Sequence, residues 1–213
     1  MKVLVLTSPD AKPAIQEKLK LAGEGLIFVD SPGDFFDQPN ADAYFDLGFQ
    51  PDKKRIDLLS GLLPKPVFVD GVSNTLHEIR QPFIRICGWP TLLEKEICEI
   101  VVNDPAIRLA AEKFLLEMQW KYQVLPDTVG MVSARIIAMI VNEAYFTRQE
   151  EISSVSDIDT AMKLGTNYPF GPFEWADKIG LKKIYKLLKT LNSLNPDYEV
   201  SALLADEASK SER

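Results

Sequence analysis

Two spacings of apolar residues divide the chain. In the first part, short branched runs alternate with polar breaks. Lys2–Leu6, Leu26–Val29, Ala43–Leu47, Pro66–Val69, Phe83–Ile86 and Ile97–Val102 are predicted as buried strands. Helices are predicted over Ala14–Leu21, closed by Gly23 and Gly25, and over Lys53–Leu59. Ser31–Asn40, with Pro32, Gly33 and Pro39, reads as loop, Ser73-Asn74-Thr75 as the cap of a short helix, and Cys87-Gly88-Trp89-Pro90 as a turn. Asp104-Pro105 opens a helix to about Lys121 with Ile107, Ala111, Phe114, Leu115 and Met118 on one face, and Tyr122–Leu125 is a last strand. Strand, helix and strand in this order begin a parallel α/β unit.

After Pro126 the period is helical. Thr128–Arg148 carries a wide apolar stripe that includes Val132, Ile136, Ile137, Ile140, Val141 and Tyr145, broad enough to be packed on both sides. Leu181–Leu191 is the last clear helix, and Asp206–Arg213 reads as a frayed polar end. The predicted fold class is therefore α/β plus all-α, with an α/β domain over 1–126 and a helical domain over 127–213.

The most informative stretch lies inside the helical part, SDIDTAMKLGTNYPFGPFEWADKIG, residues 156–180. Ser156 is placed as an N-cap, with Asp157 and Asp159 in the first turn, where the helix dipole favours negative charge. Gly165 is placed at a left-handed stop. Tyr168-Pro169-Phe170-Gly171-Pro172 forces a turn, with Pro172 opening the next helix and Gly180 ending it. Gly171 is expected to hold a backbone conformation that other residues resist. On physical grounds this is a packing corner between two helices. Its wording is also specific. It resembles the C-terminal domain of the 3-hydroxyacyl-CoA dehydrogenase family, in which a close variant of D-I-D-x-A-M-x-x-G-x-x-Y-P-x-G-P-F-E-x-x-D recurs.

Composition narrows the function classes. The chain has 213 residues and a formal charge of −7, so nucleic acid and anionic membrane are not expected partners. No apolar run is long enough to span a membrane or to serve as a signal peptide. Cys87 and Cys98 do not make a disulfide framework, and a reducing cytoplasm is the expected location. No metal site is expected. His77 is the single histidine, so any histidine base has one candidate.

The resemblance extends along the chain in order. Ala41–Asp46 is similar to the family's A-D-x-V-I-E strand, Ser73-Asn74-Thr75 to its S-N-T-S-S, and Phe83–Pro90 to F-I-G-x-H-F-F-N-P, one residue short. Asp127–Arg135 falls on D-T-P-G-F-I-x-N-R, and Tyr198–Leu204 on the tail after the last helix. The resemblance implies a Rossmann-like first domain, an NAD cofactor, a His–Glu catalytic pair, a Ser and an Asn that orient substrate, and dimerisation through the helical domain. This chain departs from that pattern at the chemistry. Thr7, Pro9 and Lys12 stand where the dinucleotide loop has glycines, Leu76 at the serine, Cys87 at the histidine and Ala134 at the asparagine. Glu99 keeps the glutamate position, and Asp30 ends the second strand where the family binds the adenine ribose. The helical hairpin that helps the family hold coenzyme A is replaced by the short stretch from Asp30 to Ala41.

The expectation is a degenerate member in or near acyl-CoA metabolism, a pseudoenzyme with a binding or partner role. No cofactor is expected, with an acyl-CoA or another small molecule as the ligand considered. Cys87 and Glu99 are the candidate catalytic residues and Asp30 the candidate cofactor contact. Trp89 and Trp175 are read as core and Lys12 as a surface lysine. The alternative is an active NAD-dependent dehydrogenase with an atypical site. The wide stripe on Thr128–Arg148 adds the expectation of a homodimer.

Overall fold

The computed structural model describes residues 1–38 and 40–211; Pro39 of the predicted loop, and Glu212 and Arg213 of the predicted frayed end, lie outside the described residues. The chain forms two compact units, Met1–Met131 and a second that starts at Val132.

The first unit is built on seven strands: β1 (Val3–Leu6), β2 (Leu26–Val29), β3 (Ala43–Asp46), β4 (Val67–Asp70), β5 (Ile84–Ile86), β6 (Ile97–Val101) and β7 (Lys121–Val124). They lie in the order β2-β1-β3-β4-β5-β6-β7. β1 to β5 are parallel, β6 is antiparallel to β5, and β7 is parallel to β6. β1, β3, β4 and β5 are hidden along nearly their whole length, as strands of a parallel sheet covered on both faces must be. Helices α1 (Lys12–Lys18), α2 (Lys53–Ser60), α3 (Leu76–Ile79), α4 (Pro90–Leu93) and α5 (Pro105–Glu117) connect them. Asp104 caps α5 by accepting from the N–H groups of Ala106 and Ile107, both at 2.9 Å. The α5 face predicted from the sequence is buried, and Phe114 packs on the stacked rings of Phe45 and Phe68. Truncating Phe114 there would cost about 3–5 kcal/mol.

Two expectations for this unit are corrected. The stretch after Asp30 is not open loop, because Pro32–Asp37 forms a 3-10 helix. Ser31 and Asp34 satisfy each other's backbone at its start, so these two polar residues close the turn locally. α1 also starts two residues early and gives way to a 3-10 turn at Lys20–Gly25.

The second unit is helical: α6 (Ser133–Gln149), α7 (Val155–Thr166), α8 (Pro172–Ile179), α9 (Leu181–Leu194) and α10 (Ala202–Lys210). α6 is central, with α8, α9 and α10 all packed on it. Its buried Asn142 accepts from the Ser201 N–H at 3.0 Å and donates to the Glu199 carbonyl at 2.8 Å, which fixes the chain before α10.

Four sequence expectations change here. α6 begins at Ser133 and not at Thr128, because Gly130 and Met131 take left-handed conformations, φ 82° and 52°. The N-cap of α7 is Ser154, whose hydroxyl accepts from the Asp157 N–H, and Ser156 lies inside the helix. α7 stops at Asn167, left-handed at φ 56°, with Gly165 still helical; asparagine tolerates that conformation better than most residues. Residues 206–210, expected to fray, complete α10, where Leu204 and Ala208 are buried and Glu207 pairs with Arg148 at 2.8 Å.

The corner of residues 156–180 is a lock between α7 and α8. Asp159 is not a dipole partner in the first turn of α7. It points inward, and its carboxylate accepts from the Phe173 N–H at 2.9 Å, which caps α8. Gly171 has an ordinary φ of −75°, so the expected special conformation is absent. A Cβ there would overlap the Asp159 carboxylate, so glycine is required by close approach. The Gly171 N–H donates to Glu174 at 2.9 Å, and Lys163 pairs with Glu174.

Candidate functional site

The loop after β1 is where a dinucleotide fold presents its phosphate donors. Here the N–H groups of Ala11 and Lys12 both point at the Ser8 carbonyl, at 3.2 and 3.1 Å. Pro13, in the first turn of α1, has no N–H to offer. The amides at the head of α1 thus close the loop's own turn. With side chains at Thr7, Pro9 and Lys12, these residues do not fit a pyrophosphate. Lys12 lies with its ammonium 4.4 Å from the centre of the Phe28 ring. Asp30 is exposed beyond β2, and its N–H donates to Asp34 at 3.1 Å. Hydrogen bonds from the Ser31 hydroxyl and N–H hold the Asp34 carboxyl below its ordinary range.

Three strands away, Cys87 and Glu99 come together. β5 and β6 pair Arg85 with Val101 and Ile86 with Ile100, and one further step of that register sets Cys87 opposite Glu99. Directly opposed residues of an antiparallel pair share a face. Cys87 is buried, and burial pushes its thiol well up, with the carboxylates of Asp70 and Glu99 acting in the same direction. Both effects favour the protonated thiol over the thiolate. Cys98 precedes Glu99 in β6 and faces the other side of the sheet, so the two thiols are not placed to bridge. Burial raises Cys98 to about 12.

The remaining expected positions are apolar or occupied. Leu76, Ala134, Trp89 and Trp175 are all buried. His77 is exposed on α3, and its backbone N–H donates to Asp127 at 3.0 Å.

Sequence reading missed the most constrained group of this end of the sheet. Arg85 is completely buried in β5. Its Nε donates to the Gly71 carbonyl at 2.9 Å, one terminal nitrogen to the Thr128 carbonyl at 3.0 Å, and the other pairs with Asp127. Asp127 in turn accepts from the Leu76 N–H at 2.9 Å and so caps α3. Gly71 leaves room for the arginine, since a Cβ there would come within 2.7 Å of Arg85 Cγ. Burial pulls the guanidinium down and Asp127 pulls it back up. An arginine in the middle of the apolar run Phe83–Ile86 was the available clue, because a buried charge must be paired. The same holds for Asp46, buried at the end of β3, which Arg55 clasps with two nitrogens at 2.6 and 2.7 Å. A groove of about 610 Å³ between α1 and Trp120 includes none of the expected residues.

Residues 130–212 match the family profile described as 3-hydroxyacyl-CoA dehydrogenase, C-terminal domain. The 3-hydroxyadipyl-CoA dehydrogenase of Escherichia coli is 43% identical over 97 residues, which cover 45% of this chain and 20% of that enzyme. The 3-hydroxybutyryl-CoA dehydrogenase of Bradyrhizobium diazoefficiens is 33% identical over 97 residues, 46% of this chain and 33% of that enzyme. At the level of sequence the match thus spans a fifth to a third of these relatives. The fold likeness is wider. M. tuberculosis FadB2 superposes with a TM-score of 0.78 at 14% identity, over 98% of this chain and 93% of that one. The (S)-3-hydroxybutyryl-CoA dehydrogenase PaaH1 of Ralstonia eutropha gives 0.75 at 16% identity over the same shares. In sequence the chain is similar to the 3-hydroxyacyl-CoA dehydrogenases over its helical unit, and in fold it is similar to these solved structures along nearly its whole length. Its first unit is a Rossmann-type sheet, and its second is a helical domain.

Proposed function

We propose that this is a catalytically degenerate 3-hydroxyacyl-CoA dehydrogenase-like protein, cytoplasmic, with a binding or partner role in acyl-CoA metabolism. The observation that carries the reading is the loop after β1, whose helix-head amides are committed to the Ser8 carbonyl. The buried, protonated Cys87 and the apolar Leu76 and Ala134 support it, because none of them supplies a base or an orienting hydrogen bond. Loss of a positioned base alone removes a factor of about a hundred to ten thousand in rate. An acyl-CoA or another small molecule is the ligand considered.

The test is an assay with 3-hydroxybutyryl-CoA and longer homologues, following NADH and NADPH absorbance. No turnover is expected, and Cys87→His alone restores none. Turnover near one per second that Glu99→Gln abolishes would instead establish the second reading, an active NAD-dependent dehydrogenase with an atypical site. That reading is favoured by one observation, the retention of Glu99 opposite position 87.

The chain is further proposed to form a homodimer through its helical unit. Val132 just before α6, Ile136 on α6, and Val155 and Leu164 on α7 are apolar and exposed. Light scattering should give twice the chain mass; a monomer throughout the micromolar range would contradict this.

A further inference from the structure

The sheet of the first unit has two unlike edges. β7 exposes Lys121 and Gln123, and a charged side chain is a common guard of a sheet edge. β2, Leu-Ile-Phe-Val, has no charge, proline or glycine, and all four side chains are half-buried. Which of its main-chain groups face outward follows from the register. The Leu6 carbonyl accepts from the Leu47 N–H, so even residues of β1 aim at β3 and odd ones at β2. Val3 and Val5, opposite Leu26 and Phe28, therefore bond to residues 25, 27 and 29. Leu26 and Phe28 aim their N–H and C=O groups away from the sheet. Among the described residues no hydrogen bond reaches those groups.

This free edge is short and closed at both ends. The next outward N–H, that of Asp30, is taken by the Asp34 carboxylate at 3.1 Å. At the other end β2 follows directly on the 3-10 turn that stops at Gly25. What remains is one donor and one acceptor on each of two residues, Leu26 and Phe28. That set is its own complement when a second β2 runs antiparallel to the first and the two-fold passes through Ile27. Leu26 of one copy then exchanges both bonds with Phe28 of the other, and the reverse, so every free group is satisfied. The side chains that meet are Leu26 with Phe28 and Ile27 with its counterpart, all apolar.

We propose that β2 is an interface between two copies of this chain, which join their sheets across a two-fold axis at Ile27. Complementarity of partial charge selects that occupant, because each outward N–H meets an outward C=O and none is left over. A longer strand from another protein would find no donor at Asp30, whose N–H is already taken. A strand of four residues buries less than the roughly 1,200 Å² of a stable interface, so the contact is weak and depends on concentration. The same register sets Glu24 against Asp30 at both margins, and both are exposed. These like charges make the association strengthen as salt screens them. The contact lies in the sheet unit and does not rest on the homodimer proposed for the helical unit.

Disulfide trapping in the full chain tests the register. Opposed residues of a non-hydrogen-bonded antiparallel pair have Cα atoms about 4.5 Å apart, within reach of a disulfide. Ile27→Cys should therefore cross-link to itself under mild oxidation, about tenfold faster than Leu26→Cys or Phe28→Cys alone. A mixture of Leu26→Cys and Phe28→Cys chains should cross-link where neither does by itself. The parent chain, with Cys87 buried, is the control. Trapping at Ile27→Cys should quicken from low to physiological salt. It should slow about tenfold when Phe28→Pro is added, since that change removes an outward N–H and leaves the bonds to β1 in place. The proposal is overturned if Ile27→Cys does not cross-link, which would leave the edge to another protein's strand. It is also overturned if Leu26→Cys alone cross-links as fast, if salt slows the trapping, or if Phe28→Pro with unchanged circular dichroism leaves its rate as it was.

Discussion

The two units keep different parts of their ancestry. In the helical unit the words of the family survive, and they turn out to describe packing: Asp159 caps α8, Gly171 makes room for that carboxylate, and Glu174 takes the Gly171 N–H. In the sheet unit the fold is kept while fewer of the family's words are. The loop after β1 bonds to itself, and Arg85 in the middle of β5 pairs with Asp127 beyond β7. A motif can persist because a corner needs it, and a sheet can keep its fold while the side chains at its strand ends change.

The contrast can be broken most forcefully at Asp127. Asp127→Ala strands a buried guanidinium and uncaps α3, and should cost about 3–5 kcal/mol. Arg85→Met, which removes the charge and keeps the volume, should cost less. Urea denaturation of both variants checks this, and equal losses would mean that the buried charge is not what Asp127 serves.

In the helical unit, Gly171→Val should cost about 1–3 kcal/mol by overpacking against Asp159. The φ at Gly171 is ordinary, so the penalty belongs to the contact and not to the backbone. Gly171→Ala combined with Asp159→Ala should therefore lose less than the sum of the two single changes. Strict additivity in that cycle would argue against the lock.

The smallest effect concerns the thiols. Cys98 is raised from 9.0 to about 12 in the folded chain. Below pH 9 both states are protonated and the thiol costs nothing. Between pH 9 and about 12 only the unfolded thiol ionises, so stability falls as pH rises through that window. Cys98→Ala should flatten the alkaline limb of the melting curve. Native Cys87 should resist alkylation at neutral pH, and rapid labelling of it would contradict its burial.

Much of this was legible in the sequence. The branched runs became strands β1 to β7 within a residue or two, most clearly at β1, β3, β4 and β5, because parallel strands buried on both faces leave uninterrupted apolar runs. The corner at residues 156–180 was legible as a corner, although the inward turn of Asp159 was not, since an acid near a helix start reads equally well as a dipole partner. The start of α6 was hidden because the apolar period continues through Gly130 and Met131 while the backbone there is left-handed. For the site, substitutions at Thr7, Pro9, Leu76, Cys87 and Ala134 could be read residue by residue. That Cys87 faces Glu99 depends on the antiparallel register, and that Arg85 binds Asp127 joins residues 42 apart; neither has a local pattern.

The most direct measurement is calorimetric titration of NADH and NAD into the purified chain. With the Ala11 and Lys12 amides turned to the Ser8 carbonyl, no saturable binding should be seen up to millimolar cofactor. Saturable binding with a micromolar Kd would contradict the account, because it would require the loop after β1 to open and present those amides to a pyrophosphate.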